Sequence, residues 1–346
     1  MLAGISGQCG ARLKHSYKPG ANDNRASERT RFVTFPQARM IPVNGIELAV
    51  HEAGQGGIPL VLAHGWPELA YSWRYQIPAL VAAGYHVIAP DQRGYGRSSK
   101  PANVEEYDIH HLTGDHVALL DALGIEKAIY VGHDWGAIIV WHHALLHPER
   151  VLGVANMSVP FHVREPADPV AFWEKMLGPE FYIVHFNRQP GVAAAAFDRN
   201  PEQFLRNMYR TKQWLSKAAP EGEPRGQSII HLADTVVKSG EPLLSEADLQ
   251  VFVEAFKAGG FMAPSNWYRN FSRNWETTAD VEQLVCQPAM MIYGEYDMVR
   301  TADMTAYVPD LEIHTLPCGH WIQQEQPAET TRLLLDWLQR RMRPLL

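Results

Sequence analysis

The run Val131-Gly132-His133-Asp134-Trp135-Gly136 constrains this chain more than any other stretch. Ala128-Ile129-Tyr130-Val131 leads into it as an apolar, strand-like segment, and Ala137-Ile138-Ile139-Val140-Trp141 leaves it as an apolar, helix-like one. Glycines two positions either side of one polar residue let a strand and a helix approach closely. The polar residue is then held at a sharp, strained turn between them. Such a nucleophile elbow usually carries serine; here it carries Asp134. An aspartate in front of a helix can also serve only as its N-cap, accepting a backbone N–H. The rest of the chain decides between the two.

Strand and helix alternate around the elbow. Met40 to Gly54 alternates apolar and polar residues about Asn44-Gly45, a two-residue hairpin signal. Ile58 to Ala63 and Tyr85 to Pro90 read as strands, with a helix carrying Trp73, Ile77, Leu80 and Val81 between them. Leu112 to Leu123 is helical by period, and Arg150 to Ser158 is a further strand. Strands apolar on both faces and separated by helices specify an α/β fold, a mostly parallel sheet flanked by helices on both sides. Its active site belongs beyond the carboxyl ends of the strands. The rhythm stops at Pro160. Residues 160–276 are studded with prolines and with Phe172, Trp173, Phe181, Trp214, Phe252, Phe256, Phe261 and Trp267, and show no clear strand. We expect them to form a helical cap inserted into a core built from 37–159 and 277–346. Strands resume at Pro288 to Tyr293 and Leu311 to Leu316, and a closing helix starts at Pro327.

Composition narrows the class. With 346 residues, 46% hydrophobic and 20% charged, the chain has material for a globular core plus an insertion. A net charge of −7 offers nothing to nucleic acid or an anionic membrane surface, and no apolar run approaches a membrane span in length. The three cysteines, Cys9, Cys286 and Cys318, suggest neither a disulfide framework nor a zinc site. They favour a reducing compartment, so the expected location is cytoplasmic. Residues 1–36 are rich in Arg, Lys, Gly, Ser and Asn and lack the apolar core of a secretory signal. We expect a disordered tail there, starting upstream of the natural start, because Met40 opens the first structured segment.

A carboxylate at an elbow needs a base to activate water and a partner to orient the base. Asp297 follows the strand ending Met291-Ile292-Tyr293-Gly294, with Glu295 as its competitor in the same loop. His320 follows the last strand in Pro317-Cys318-Gly319-His320-Trp321. Of 16 histidines, His51, His111, His116, His142, His143 and His147 lack that strand-end setting and read as surface or packing residues; His133, beside the elbow, packs or bonds locally. The order Asp134, Asp297, His320 is that of the nucleophile-acid-histidine triad on an α/β-hydrolase sheet. Elbow geometry assigns the oxyanion donors to the backbone N–H groups of Trp135 and Trp66.

The chain resembles an α/β-hydrolase-fold epoxide hydrolase of the soluble and bacterial kind, from Met40 to the C-terminus. The resemblance rests on His64-Gly65-Trp66-Pro67, Gly132-His133-Asp134-Trp135-Gly136, Gly294-Glu295-Tyr296-Asp297 and Gly319-His320-Trp321. It also rests on two cap stretches, Phe181-Tyr182-Ile183-Val184-His185-Phe186 and Asn266-Trp267-Tyr268-Arg269-Asn270-Phe271. It implies that Tyr182 and Tyr268 bind and protonate the epoxide oxygen, and that the Trp66-Pro67 bond is cis. We expect the pocket to be lined by Trp66, Pro67, Trp135, Phe186, Trp267 and Trp321. The substrate would be an apolar epoxide and water, with no metal or cofactor, acted on by a monomer or homodimer. The chemistry stands without the family: ring opening creates an alkoxide that leaves badly unless protonated, and a phenol of pKa ~10 is an acid able to do so.

Three alternatives remain on the sequence. A dehalogenase on the same fold would share Asp134, Asp297, His320 and Trp135, but often places Asn where Trp66 stands and has no use for two phenols. A serine esterase is disfavoured because no serine occupies the elbow. A non-catalytic member binding an intact ligand is opposed by the complete triad.

Overall fold

The computed structural model describes residues 35–211, 229–299 and 301–345. The tail expected over 1–36 lies outside these apart from Phe35 and Pro36, and so does Trp214. Strands β1 (Ala38–Val43) and β2 (Ile46–Ala53) meet at Asn44-Gly45, whose φ angles are 42° and 77°. Both are positive, which the tight hairpin turn requires and Asn-Gly supplies at least cost.

Six further strands complete one sheet: β3 (Ile58–Ala63), β4 (Tyr85–Asp91), β5 (Ala128–His133), β6 (Val151–Met157), β7 (Ala289–Gly294) and β8 (Leu311–Leu316). Their order is β1-β2-β4-β3-β5-β6-β7-β8; β1 to β2 and β2 to β4 pair antiparallel, and every other pair is parallel. β5 is buried throughout, its residues alternating between two cores. Ala128 and Tyr130 join one core, Ile129 and Val131 the other, so the run that reads as continuously apolar is a strand covered on both faces. β3 lies between β4 and β5, so the chain leaves β3 to one side and returns on the other. At this switch point the connections after β3 and β5 turn to opposite sides, the position where open α/β sheets place a binding crevice.

The helix expected through Trp73 and Val81 is broken in two, a 3-10 turn at Ala70–Trp73 and α1 (Ile77–Ala82). Pro78 is the reason, since it lacks an N–H and fits only the first turn of a helix. α2 (Ile109–Ala122) starts earlier than its apolar period because the Asp108 side chain accepts the His111 N–H at 3.0 Å. α3 (Trp135–Leu146) leaves the elbow directly.

Between β6 and β7 run α4 (Pro169–Leu177), α5 (Tyr182–Arg188), α6 (Val192–Arg199), α7 (Pro201–Met208), α8 (Glu246–Gly259), α9 (Met262–Arg269) and α10 (Phe271–Thr277). Prolines open α4 and α7, and Asp168, Asn200 and Ser245 cap α4, α7 and α8 with their side chains. Residues that look like helix breakers in the sequence are thus helix starts. The insert shares one aromatic core with the carboxyl edge of the sheet: Trp66, Tyr95, Trp135 and Trp321 from below, Phe186, Phe204, Trp267 and Tyr268 from above. α11 (Ile322–Glu325) and α12 (Pro327–Trp337) close the chain against β7 and the sheet's other core. Among the described residues no helix is long and apolar enough to cross a membrane.

Between the sheet and α2 and α3 lies a buried cluster that Gln92 joins to His64, at the start of the loop after β3. The His143 ring is 4.3 Å from that of Tyr130, and His116 stacks on Tyr130 at 5.9 Å. Among the described residues neither His143 nitrogen nor the Tyr130 hydroxyl has a hydrogen-bond partner. Burial pushes His116 down to about 4 and His143 well below the ordinary range. The unfolded chain takes up protons near pH ~6.5 that the folded cluster refuses, so stability is full above that pH and lost as pH falls towards 4. Urea midpoints should therefore drop between pH ~7.5 and ~5. His143→Leu, which loses no hydrogen bond, should flatten that drop while leaving the higher-pH midpoint little changed. An unchanged pH slope in the variant would clear the cluster of any part in acid lability.

Candidate active site

Asp134 occupies the turn between β5 and α3 with φ 53° and ψ −120°, a conformation non-glycine residues avoid. Close packing holds it there. A Cβ on Gly136 would lie 2.0 Å from the Ala63 carbonyl oxygen, and one on Gly65 would lie 2.5 Å from Asp134 Oδ1. The two loops therefore touch backbone to backbone, which is why both positions are glycine. The Trp66-Pro67 bond is cis. The Trp66 N–H donates to Asp134 Oδ1 at 2.8 Å. The Trp135 N–H is the first of α3 and has no acceptor within its own helix.

On the other side of Asp134 stands His320. Its Nε2 is 3.6 Å from Asp134 Oδ2, and its Nδ1 lies 3.0 and 3.1 Å from the two carboxylate oxygens of Asp297. Glu295, the competitor in the same loop, is exposed. Burial would weaken the imidazolium, but the Asp297 and Asp134 carboxylates overcome it and hold His320 well above its usual pKa. Asp297 is held below the carboxylate range in turn. Burial opposes this, while the His320 charge, the Ser158 hydroxyl at 2.6 Å and the Val299 N–H at 3.0 Å outweigh it. Ser158 escapes a sequence reading because it lies 139 residues from the carboxylate it serves.

Beneath the three loops lies a fully buried carboxylate, Glu68. It accepts from the Gly65 N–H at 2.7 Å and from Gln323 Nε2 at 3.0 Å, and meets His133 Nδ1 at 2.8 Å. His133 Nε2 reaches the carbonyl oxygen of His320 at 2.8 Å. A carbonyl only accepts, so that nitrogen carries a proton. Burial pushes Glu68 up, yet the His133 charge and these hydrogen bonds bring it down to about 2. His133 thus links the loop of Asp134 to those of Trp66 and His320. The available sequence signal was a glutamate directly after His64-Gly65-Trp66-Pro67, among segments that had to be buried.

Tyr182 from α5 and Tyr268 from α9 face each other edge to face, ring centroids 5.5 Å apart. Tyr268 stands edge-on to Trp66 at 5.5 Å and to Trp135 at 5.1 Å, and to Phe186 at 5.3 Å. Burial raises both phenol pKa values, and the Asp134 charge raises them further. Trp267 and Trp321 lie one layer out. The Trp267 indole donates to the Arg93 carbonyl at 3.0 Å behind Trp135, and the Trp321 indole donates to the Met208 carbonyl at 2.8 Å beside His320. The Pro67 carbonyl accepts from Tyr209. Among the described residues no group of three or more His, Cys, Asp or Glu side chains could hold a metal ion.

A strained elbow, a switch-point crevice and a nucleophile-acid-histidine order define an α/β hydrolase, and the profile of the alpha/beta hydrolase fold family matches residues 58–327. Epoxide hydrolase A of Mycobacterium tuberculosis is 43% identical over 320 residues, 88% of this chain and 97% of that protein. Bifunctional epoxide hydrolase 2 of Sus scrofa is 37% identical over 303 residues, 85% of this chain but 54% of that longer protein. The crystal structure of Epoxide Hydrolase A from Mycobacterium thermoresistibile superposes with a TM-score of 0.80 at 40% identity, covering 88% of this chain and 98% of that one. The chain belongs to the epoxide hydrolase family of the α/β-hydrolase fold.

Glu68→Ala removes the counter-charge of buried His133 and leaves the Gly65 N–H unpaired, and breaking such a buried pair costs about 3–5 kcal/mol. Urea unfolding should register that loss; a cost under about 1 kcal/mol, the range of an exposed pair, would show the three loops are held by other means.

Proposed function

We propose that the protein converts an apolar epoxide to its vicinal diol through an ester on Asp134. The observation that carries this is one carboxylate with two phenols on one side and a doubly flanked histidine on the other. Tyr182 and Tyr268 hold the epoxide oxygen, and Asp134 attacks the ring carbon from the opposite side. The carbon–oxygen bond breaks and a phenol protonates the departing oxygen.

Esterification erases the Asp134 charge, and two consequences follow from that single change. The phenols lose the negative neighbour that raised their pKa, and become better acids as the alkoxide forms. His320 loses one of its two carboxylates, so it yields its resting proton, which restores the spent phenol, and becomes a free base. His320, oriented by Asp297, then takes a proton from water as the water attacks the ester carbonyl. The oxyanion is met by the N–H groups of Trp66 and Trp135. Collapse returns the carboxylate and releases the diol, so epoxide and water are consumed and nothing else.

Residues 160–276 act as a cap over a core of 37–159 and 277–346, and their rings make the pocket apolar. The enzyme is cytoplasmic and acts as a monomer or homodimer without cofactor; its net charge of −7 offers nothing to nucleic acid.

A single turnover of a styrene-type epoxide in oxygen-18 water, with enzyme in excess, should put label into the peptide bearing Asp134. Diol without label would mean direct attack by water. Asp134→Ala should abolish turnover with the fold intact, and His320→Gln should let the ester accumulate. Replacing both Tyr182 and Tyr268 by Phe should stop ring opening; retained opening would remove the phenols from the mechanism.

Ester hydrolysis followed against pH should rise through a His320 pKa lower than the one titrated in the free enzyme, because Asp134 no longer holds the proton. Equal values in the two states would refute the charge-erasure account.

A further inference from the structure

Tyr209 has no part in the steps above, yet its contacts are with the residues that carry out the second of them. It follows directly on the C-terminal end of α7 in the cap and is 2% exposed. Its hydroxyl donates to the Pro67 carbonyl at 2.8 Å, one residue from the Trp66 N–H that meets Asp134. Its ring lies 4.6 Å from that of Trp321 and 4.8 Å from Phe252 on α8. The preceding residue, Met208, accepts the Trp321 indole N–H at 2.8 Å. Two consecutive cap residues therefore grip both the loop that carries the oxyanion donor and the loop that carries His320.

We propose that Tyr209 is a positioning residue for ester hydrolysis, through which the cap serves the second half of the reaction as well as the first. This rests on the ester route proposed above. An oxyanion donor must sit about 2.7–3.1 Å from where the charge develops, so the placement of the Trp66 peptide is a kinetic quantity. Pro67 has no N–H, so its carbonyl, two peptides on from the Trp66 N–H, is a handle on the turn that carries that N–H. Without the Tyr209 hydroxyl the carbonyl is a buried acceptor lacking this donor, and the loop must shift to satisfy it.

The two half-reactions feel such a shift differently. During ring opening Asp134 loses charge, so the Trp66 bond weakens towards the transition state. During hydrolysis the same oxygen gains charge, and the bond strengthens. Only interactions stronger in the transition state than in the ground state accelerate a step, so misplacing Trp66 slows hydrolysis and spares opening.

The test is rapid-quench single turnover of a styrene-type epoxide with Tyr209→Phe, which keeps the ring and removes one oxygen. Ester formation should stay within about twofold of the native rate. Hydrolysis should slow by roughly tenfold, in line with the cost of small misplacements in active sites, and the ester should accumulate. Trp321→Phe, which cuts the companion bond to Met208, should slow the same step. Unchanged hydrolysis in Tyr209→Phe, or equal slowing of both steps, would overturn the inference, the latter marking a general structural role. If the native protein forms no ester, the parent reading falls and this one with it; if the native ester forms and the variant hydrolyses it normally, only this one does.

Discussion

The buried carboxylate of Glu68 is what the rest of the site depends on. A charge with no access to water persists only if its lone pairs are used, and the users here come from three pieces of chain. The Gly65 N–H brings in the loop after β3, His133 the end of β5, and Gln323 the helix after the last strand. Those pieces carry the Trp66 N–H, Asp134 and His320. Apolar contacts could bring the loops near one another, but they are non-directional. A satisfied ionic network fixes distances, which catalysis by placed charges requires.

Above that network the site works by holding one charge where several groups feel it. Asp134 lies 3.6 Å from His320 and raises the proton affinity of the imidazole and of both phenols at once. In water such coupling would be screened to little; between Trp66 and Trp135 below and Phe186 and Trp267 above it is not. The aromatic core shared by cap and sheet is therefore an electrostatic device as well as a hydrophobic one.

Much of this was legible in the sequence, for a physical reason. A strand buried on both faces leaves an unbroken apolar run, so Ile58–Ala63 falls where the sequence places it, and the half-exposed edge strand Leu311–Leu316 does so by alternating instead. The elbow glycines report backbone contacts, Gly136 with Ala63 and Gly132 with Gly136, and the chain order of Asp134, Asp297 and His320 reports the strand ends they follow. What escaped has no local period. Pro78 breaks a helix that apolar spacing alone would continue. Ser158, Glu68 and Tyr209 are single polar residues whose partners lie 139, 65 and 142 residues away, and one sequence carries no trace of such pairings.

Those omissions share a pattern. The residues legible from sequence are the ones that would touch the reacting atoms, because strand-end position and residue type are both local properties. The residues that escaped hold other groups in place: Glu68 a glycine N–H, Tyr209 a proline carbonyl, Ser158 the carboxylate of Asp297. A backbone carbonyl or N–H has no residue identity to conserve its geometry, so its position has to be imposed by a side chain from elsewhere. On the proposed route, where backbone N–H groups would meet the developing charge, those distant side chains would bear on the rate as the triad does.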